Sequence, residues 1–182
     1  MKIHVVIGPL TVDGMTAQQP DIVAGYPAPT AVAGLGHKFA LDLSASGSFR
    51  VRSAGTAVIV HDHSTMEGHV KLPLENKTKI RQNQGANILD ERRARITASL
   101  IIQLECETDV EDVALLAASE RIVPTLYFGG GKVFPKAAGT AAKVVVAKGG
   151  EELIEAIYAL PAGYALVDRS DLLNNAPSDR DP

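Results

Sequence analysis

From Ile96 to Cys106 the chain alternates, with Ile96, Ala98, Leu100, Ile102, Leu104 and Cys106 on one parity and Thr97, Ser99, Gln103 and Glu105 on the other. A period of two belongs to an extended strand with one buried face, so this stretch commits the core of the fold to a sheet. Cys106 lies on the apolar parity. The chain's only cysteine therefore reads as an inert core thiol, excludes an internal disulfide framework and suits a reducing, cytoplasmic setting.

The flanking sequence supplies partners for that strand. Residues 2–8 alternate in the same way, and Gly14 to Pro29, rich in Pro, Gly and Gln, reads as loop. Pro29 is placed to open a helix to about Leu43, with Val32, Leu35 and Phe39 at helical spacing. Gly34 and Gly36 either weaken that helix or let it pack closely. Phe49 to His63 is β-rich. Thr108-Asp-Val-Glu111 has the form of a capping box, predicting a helix with Val110, Val113, Ala114 and Ala117 on one side. A strand into Gly129–Gly131, a strand over Lys143–Ala147, a helix over Glu151–Leu160 stopped by Pro161, and a strand over Gly163–Asp168 follow. This succession suits one α+β domain over residues 1–173, with helices on a mainly antiparallel sheet in broadly the ferredoxin-like plan. The polar, proline-bearing tail 174–182 is expected to be disordered.

Charge is unevenly distributed. The 182 residues carry a net −3, yet between Lys71 and Arg95 seven cations face three anions. The segment Ser64–Asp90 lacks apolar periodicity, and a loop so long inside a compact domain is usually functional or disordered. Lying between two strands, residues 64–92 read as a hairpin arm. Lys71, Lys77, Lys79 and Arg81 stand there with Gln82, Asn83, Gln84 and Asn87, cations for phosphates beside amides able to meet base edges. Arg92, Arg93 and Arg95 sit where the arm rejoins the strand, Arg93 and Arg95 on one face. The alternative is a solvated charged loop. The N-terminus is too short and alternating for a signal peptide, and no apolar run is long enough to span a bilayer.

Gly129-Gly130-Gly131-Lys132 is the second unusual feature, because consecutive glycines weaken a strand unless a backbone must approach something closely. A P-loop would need a glycine at position 126 and Ser or Thr after the lysine, where Leu126 and Val133 stand. A dinucleotide fingerprint would need a helix to follow, whereas Val133-Phe134-Pro135 reads as a short strand. Two explanations stay open: contact with a phosphate backbone or another chain, and a tight glycine turn packed in the sheet without a ligand. His61, His63 and His69 form a histidine cluster in which His61 and His63, two apart on a strand, would share a face; Asp62 and Glu67 suit a metal site only loosely, and polar residues at a strand end entering an exposed arm explain the cluster better. There is no Gly-x-Ser-x-Gly elbow, and Asp109, Asp112, Glu151 and Glu152 fall at helix starts, where carboxylates favour the dipole. No catalytic residue, metal or cofactor is expected. Basic arm, glycine loop and sheet together favour RNA over DNA.

Four ordered blocks carry a family resemblance: Gly25–His37, Ile88–Ile102, the glycine loop through Pro135, and Leu160-Pro-Ala-Gly-Tyr-Ala-Leu-Val-Asp-Arg-Ser-Asp-Leu-Leu173. In order and spacing they resemble the Csy2 (Cas5-type) subunit of type I-F CRISPR surveillance complexes. The resemblance implies a modified RNA-recognition-type (RAMP) fold with a protruding thumb and no catalysis. It implies a subunit that holds the 5′ handle of the guide RNA, caps the complex, and touches backbone (Cas7-type) and large (Cas8-type) subunits, with target DNA contacted indirectly if at all. Carried over, Gly129, Gly130, Gly131 and Lys132 would flank the handle, residues 64–92 would be the thumb, and Gly25–His37 would bear the handle or a neighbour. Family members continue beyond the Leu160–Val167 block, so the chain reads as a compact variant or as part of a longer polypeptide. The alternatives are a repeat-RNA endoribonuclease of related fold, with His37, His61 or His63 acting on a 2′-hydroxyl, and a purely protein-binding subunit.

Overall fold

The computed structural model describes residues 1–16, 27–46, 49–71, 89–108, 110–137 and 139–165, with backbone pairing alone for 66–71 and 89–92. Three long strands form its centre: β1 (Lys2–Thr16), β2 (Val51–Lys71) and β3 (Leu89–Cys106). The alternating strand is β3, paired antiparallel with β1 on one side and β2 on the other. Its residues Ile96, Leu100, Ile102 and Leu104 are buried with Ile3, Val5, Ile7, Leu10, Val12 and Met15 of β1. Burying one such side chain is worth about 1.5–3 kcal/mol, so this shared face is the main source of stability.

Helix α1 (Pro29–Ala45) covers that face with Leu35, Gly36, Phe39, Ala40 and Leu43. Gly36 permits the contact, since a Cβ there would lie 1.8 Å from Thr56 Oγ1; Gly34 meets nothing within 4 Å. Helix α2 (Asp112–Ile122) inserts Leu115, Ala118 and Ser119. The face expected for it is corrected: Val113 is 70% exposed. Thr108 does not cap the helix. Glu111 is the N-cap, without a side-chain cap hydrogen bond, and Val110 is buried ahead of the first turn, so it does not set the helical phase.

The other strands are short: β4 (Tyr127–Phe128), β5 (Gly131–Phe134), the β6 (Lys136–Ala137) and β7 (Thr140–Ala141) hairpin, β8 (Lys143–Ala147), and β9 (Tyr164–Ala165). The sheet order is β4-β5-β1-β3-β2-β9, with β8 on the same edge of β1 as β5 but farther along. Every pairing is antiparallel. The fold is thus α and β mixed, with a mostly antiparallel sheet. Helix α3 (Gly150–Tyr158) packs on β1 and β8. Val6, of opposite parity to Val5 and Ile7, is buried beside α3's Ala156. Among the described residues, one face of the sheet is therefore covered by α1 and α2, and the other in part by α3.

Two segments read as loop contain strand. β1 continues to Thr16 because Gly14, at φ +74°, accommodates a register shift that returns Met15 to the core opposite Ala94. In the 64–92 arm, β2 and β3 stay paired out to Lys71↔Leu89, so its two limbs are a β-ladder. Lys77, Lys79, Arg81, Gln82 and Asn83 lie outside the described residues, as does the 174–182 tail.

The glycine triplet is used by the sheet. Gly129 and Gly130, at φ +54° and +80°, form the two-residue link between β4 and β5, the turn in which both central residues need positive φ. A Cβ on Gly131 would sit 2.6 Å from Met15 N and 2.8 Å from Asp13 O. Gly131→Ala is expected to lose about 1–3 kcal/mol by overpacking against main chain that cannot move away. Gly34→Ala, in open space in a helix interior, should gain about 0.5–1 kcal/mol. Urea unfolding of the two variants tests both signs.

Candidate nucleic-acid interface

Where α3 ends its cover, β5, β1, β3 and β2 lie side by side with an exposed polar face. Register places the side chains in rows. Phe134 of β5 is opposite Thr11 of β1, which is opposite Thr97 of β3, which is opposite Asp62 of β2. In the next row Tyr127 of β4 is opposite Lys132, and Lys132 is opposite Asp13. The shift in β1 between Val12 and Met15 carries Asp13 toward Arg95, and Arg95 pairs with Ser64. Arg93 continues the parity opposite Thr16.

Arg95 donates from Nε to Asp13 Oδ1 at 3.2 Å and from NH2 to Oδ2 at 3.1 Å. This fork fixes the guanidinium plane on the sheet. The hydrogen bond, reinforced by the carboxylate's charge, raises the Arg95 pKa further, so its charge is permanent. Beside it a shallow depression of about 550 Å³ is lined by Thr11, Asp13, Arg95, Thr97, Phe134, Lys136 and Gly139. Lys132 Nζ stands 5.4 Å from the Phe134 ring centroid, a cation–π contact. Phe134 is 41% and Tyr127 67% exposed.

Of the residues proposed from sequence, Arg93, Arg95 and Lys132 share this face. Lys71 and Arg92 lie on the arm's ladder, where backbone alone is described. His37 is not part of the group. It lies on α1, across the sheet, lining a groove of about 400 Å³ with Pro29, Val32, Ala33 and Ser53–Val58. Gly129 and Gly131 serve turn and packing, whereas Gly130 is exposed at the tip. Tyr127, Phe134, Lys136, Thr11, Thr97 and Asp13 were not singled out from sequence. Phe134 was within reach, because Lys132 and Phe134 are two apart on one strand and share a face; the Asp13–Arg95 pair needed the long-range register.

The histidines are corrected. A register shift between Val60 and Asp62 leaves His61 without a cross-strand partner, and an extra residue reverses the parity that follows. His63 then pairs with Ile96, while His61 reaches Ser99 on the opposite face. Both nitrogens of His61 are engaged, Nδ1 with Ala162 O at 3.1 Å and Nε2 with Ser99 Oγ at 2.7 Å. A carbonyl only accepts, so Nδ1 carries the hydrogen and, in the neutral ring, Nε2 accepts from the Ser99 hydroxyl. Among the described residues no three His, Cys, Asp or Glu side chains are placed to hold a metal, and no helix is long and apolar enough to cross a membrane.

Residues 5–181 match the family model of the CRISPR-associated protein Csy2 (Cas_Csy2). The chain belongs to the Csy2 family. A crystal structure of a CRISPR protein from Archaeoglobus fulgidus is similar at 12% identity and a TM-score of 0.33, over 80% of this chain and 62% of that one. The Csy2-family chain thus aligns with less than two thirds of that protein's length. No curated protein matches the sequence.

Cys106 is on the buried face, and burial raises its thiol pKa. An inert thiol follows, because the reactive thiolate is disfavoured in the fold. Raised above its unfolded value, that pKa contributes stability that is complete below the unfolded thiol pKa and is lost as pH rises through the folded one. Native protein at pH 8 should react with a disulfide reagent at least about tenfold more slowly than urea-unfolded protein. Equal rates would show Cys106 to be accessible.

Proposed function

We propose that this Csy2-family chain is a noncatalytic, Cas5-type subunit that binds the 5′ handle of the guide RNA and caps the backbone of the complex. The observation that carries the reading is the open four-stranded face, on which Arg93, Arg95, Lys132 and Lys136 surround hydroxyls and exposed rings. Cations along a sheet hold phosphates while unpaired bases meet the side chains between them, as single-stranded RNA requires. The strand order supports it. Taken as β8-β1-β3-β2, with α1 between β1 and β2 and α2 after β3, it is the order of a ferredoxin-like unit, the core of the RNA-recognition-type plan.

The β2–β3 ladder leads from this face into the arm as far as Lys71↔Leu89, and the thumb reading assigns the arm to the same RNA. Asp13 moderates the charge of the face by pairing with Arg95. Backbone (Cas7-type) and large (Cas8-type) subunits are the protein partners on this reading. The absence of catalysis is supported by His61, whose two nitrogens are committed to Ala162 and Ser99, and by His37, which lies across the sheet from the cations.

Salt titrations within the assembled complex test the face. Each phosphate contact on single-stranded RNA contributes about 0.7 to the slope of log K against log salt. Lys132→Ala and Lys136→Ala should each flatten the slope by about that amount, and Asp13→Asn, which releases Arg95, should steepen it. Unchanged slopes in all three would overturn the assignment. Handle RNA should outcompete unrelated RNA of equal length and remain intact with chelator present; specific cleavage of repeat RNA that disappears in His37→Ala would establish the endoribonuclease instead.

A further inference from the structure

The interface contains two large aromatic side chains that charge alone does not explain. Tyr127 opens β4 and Phe134 closes β5; they are exposed at 67% and 41%, while the hairpin's other aromatic, Phe128, is buried in the core. Register makes them a set. Tyr127 is directly opposite Lys132, and Phe134 is two residues beyond Lys132 on β5, so the aromatics are diagonal neighbours and the lysine adjoins both. Diagonal neighbours in a sheet are about 7–8 Å apart. That is roughly twice the ~3.4 Å rise of stacked nucleotides along a strand, too far for two bases stacked on each other and suitable for two splayed bases, one per ring.

We propose that Tyr127 and Phe134 form a stacking platform for two consecutive unpaired nucleotides of single-stranded RNA, with Lys132 on the phosphate that joins them. This rests on the RNA-binding reading of the same face. One phosphate lies between two successive bases, and one lysine neighbours both rings, as the cross-strand partner of Tyr127 and the cation beside Phe134. Among the described residues Lys132 meets Phe134 through a cation–π contact at 5.4 Å, which an incoming phosphate can replace. Asp13, the acid opposite Lys132, is already engaged by Arg95. The depression beside Phe134 supplies the polar edge contacts: the Thr11 and Thr97 hydroxyls and the Arg95–Asp13 fork can donate to or accept from a base seated on the ring. Charge complementarity favours RNA over a protein partner, since Lys132, Lys136 and Arg95 flank the rings.

The glycine turn gains a purpose from this arrangement. A two-residue link holds β4 and β5 in tight register, and Gly131 lets β5 press against β1. The rings are thereby carried on paired strands, with their spacing preset before RNA binds, which lowers the ordering cost of binding.

The test uses the full chain in its assembled complex and a single-stranded handle RNA carrying 2-aminopurine at each position in turn. Fluorescence should be quenched at two adjacent positions. Tyr127→Ala and Phe134→Ala should each abolish quenching at one of them and weaken RNA binding by about 5- to 100-fold, with the salt slope unchanged because no charge is removed. Tyr127→Phe and Phe134→Tyr should retain both. If the alanine variants bind RNA as the parent does while Lys132→Ala and Lys136→Ala flatten the salt slope, the platform is wrong and the RNA-binding reading stands. If RNA binding is unaffected and assembly with the other subunits fails instead, the rings form a protein contact and the platform is likewise wrong. If the parent complex shows no preference for handle RNA, the functional reading fails along with the platform.

Discussion

β3 lies between β1 and β2, and its antiparallel register with both decides which side chains meet everywhere else in the molecule. Its apolar parity faces α1 and α2 together with Ile3, Val5, Ile7 and Val58, so a slip of one residue would turn that whole set toward water. Burial at this scale locks the register. The opposite parity is therefore placed just as firmly, although little of it is buried toward Arg95. Ser99, Thr97, Arg95 and Arg93 occupy fixed positions because Ala98, Ile96 and Ala94 have to.

The candidate interface exists because the two faces of the sheet are covered unequally. α3 shelters Val6, and the segment leading into β9 is tied to the sheet by the Ala162–His61–Ser99 hydrogen bonds. Beyond them the face is open, and register shifts choose what it displays. The shift in β1 near Gly14 keeps Met15 in the core while carrying Asp13 to Arg95. The shift at His61 separates two histidines that a regular strand would have put together. An acid paired to a central arginine also has an electrostatic effect, because it lowers the net attraction for phosphate without removing a planar donor group.

Much of this architecture was legible in the chain. The alternation over Ile96–Cys106 required one buried face, Pro29 marked the first turn of α1, and the Val133–Pro135 motif predicted the short strand after the glycines. The failures have a common cause. The capping motif predicts Val113 on one side with Val110, yet the phase of α2 follows from where Leu115 and Ala118 find a core. The arm's lack of apolar periodicity hides how far its strands run; pairing with each other carries them to Lys71↔Leu89, as a hairpin arm requires. The histidines were misplaced because an unpaired residue in a ladder leaves no mark in local sequence.

Family membership was likewise written in four ordered blocks, and Gly129-Gly130-Gly131-Lys132 was recognisable as a place where main chain needs room. Local preferences and the periodicity of burial determined that much, because they depend on neighbours a few residues away. What the room was for, only the tertiary structure decided. Two glycines take positive φ in a turn and the third lets β5 approach Met15 and Asp13, so Lys132 is presented between Tyr127 and Phe134 and across from the Asp13–Arg95 pair. The contacts with Asp13 join strands far apart in the chain, Arg95 standing 82 residues away and Lys132 farther still, and their register is set by core packing that no local stretch of sequence contains.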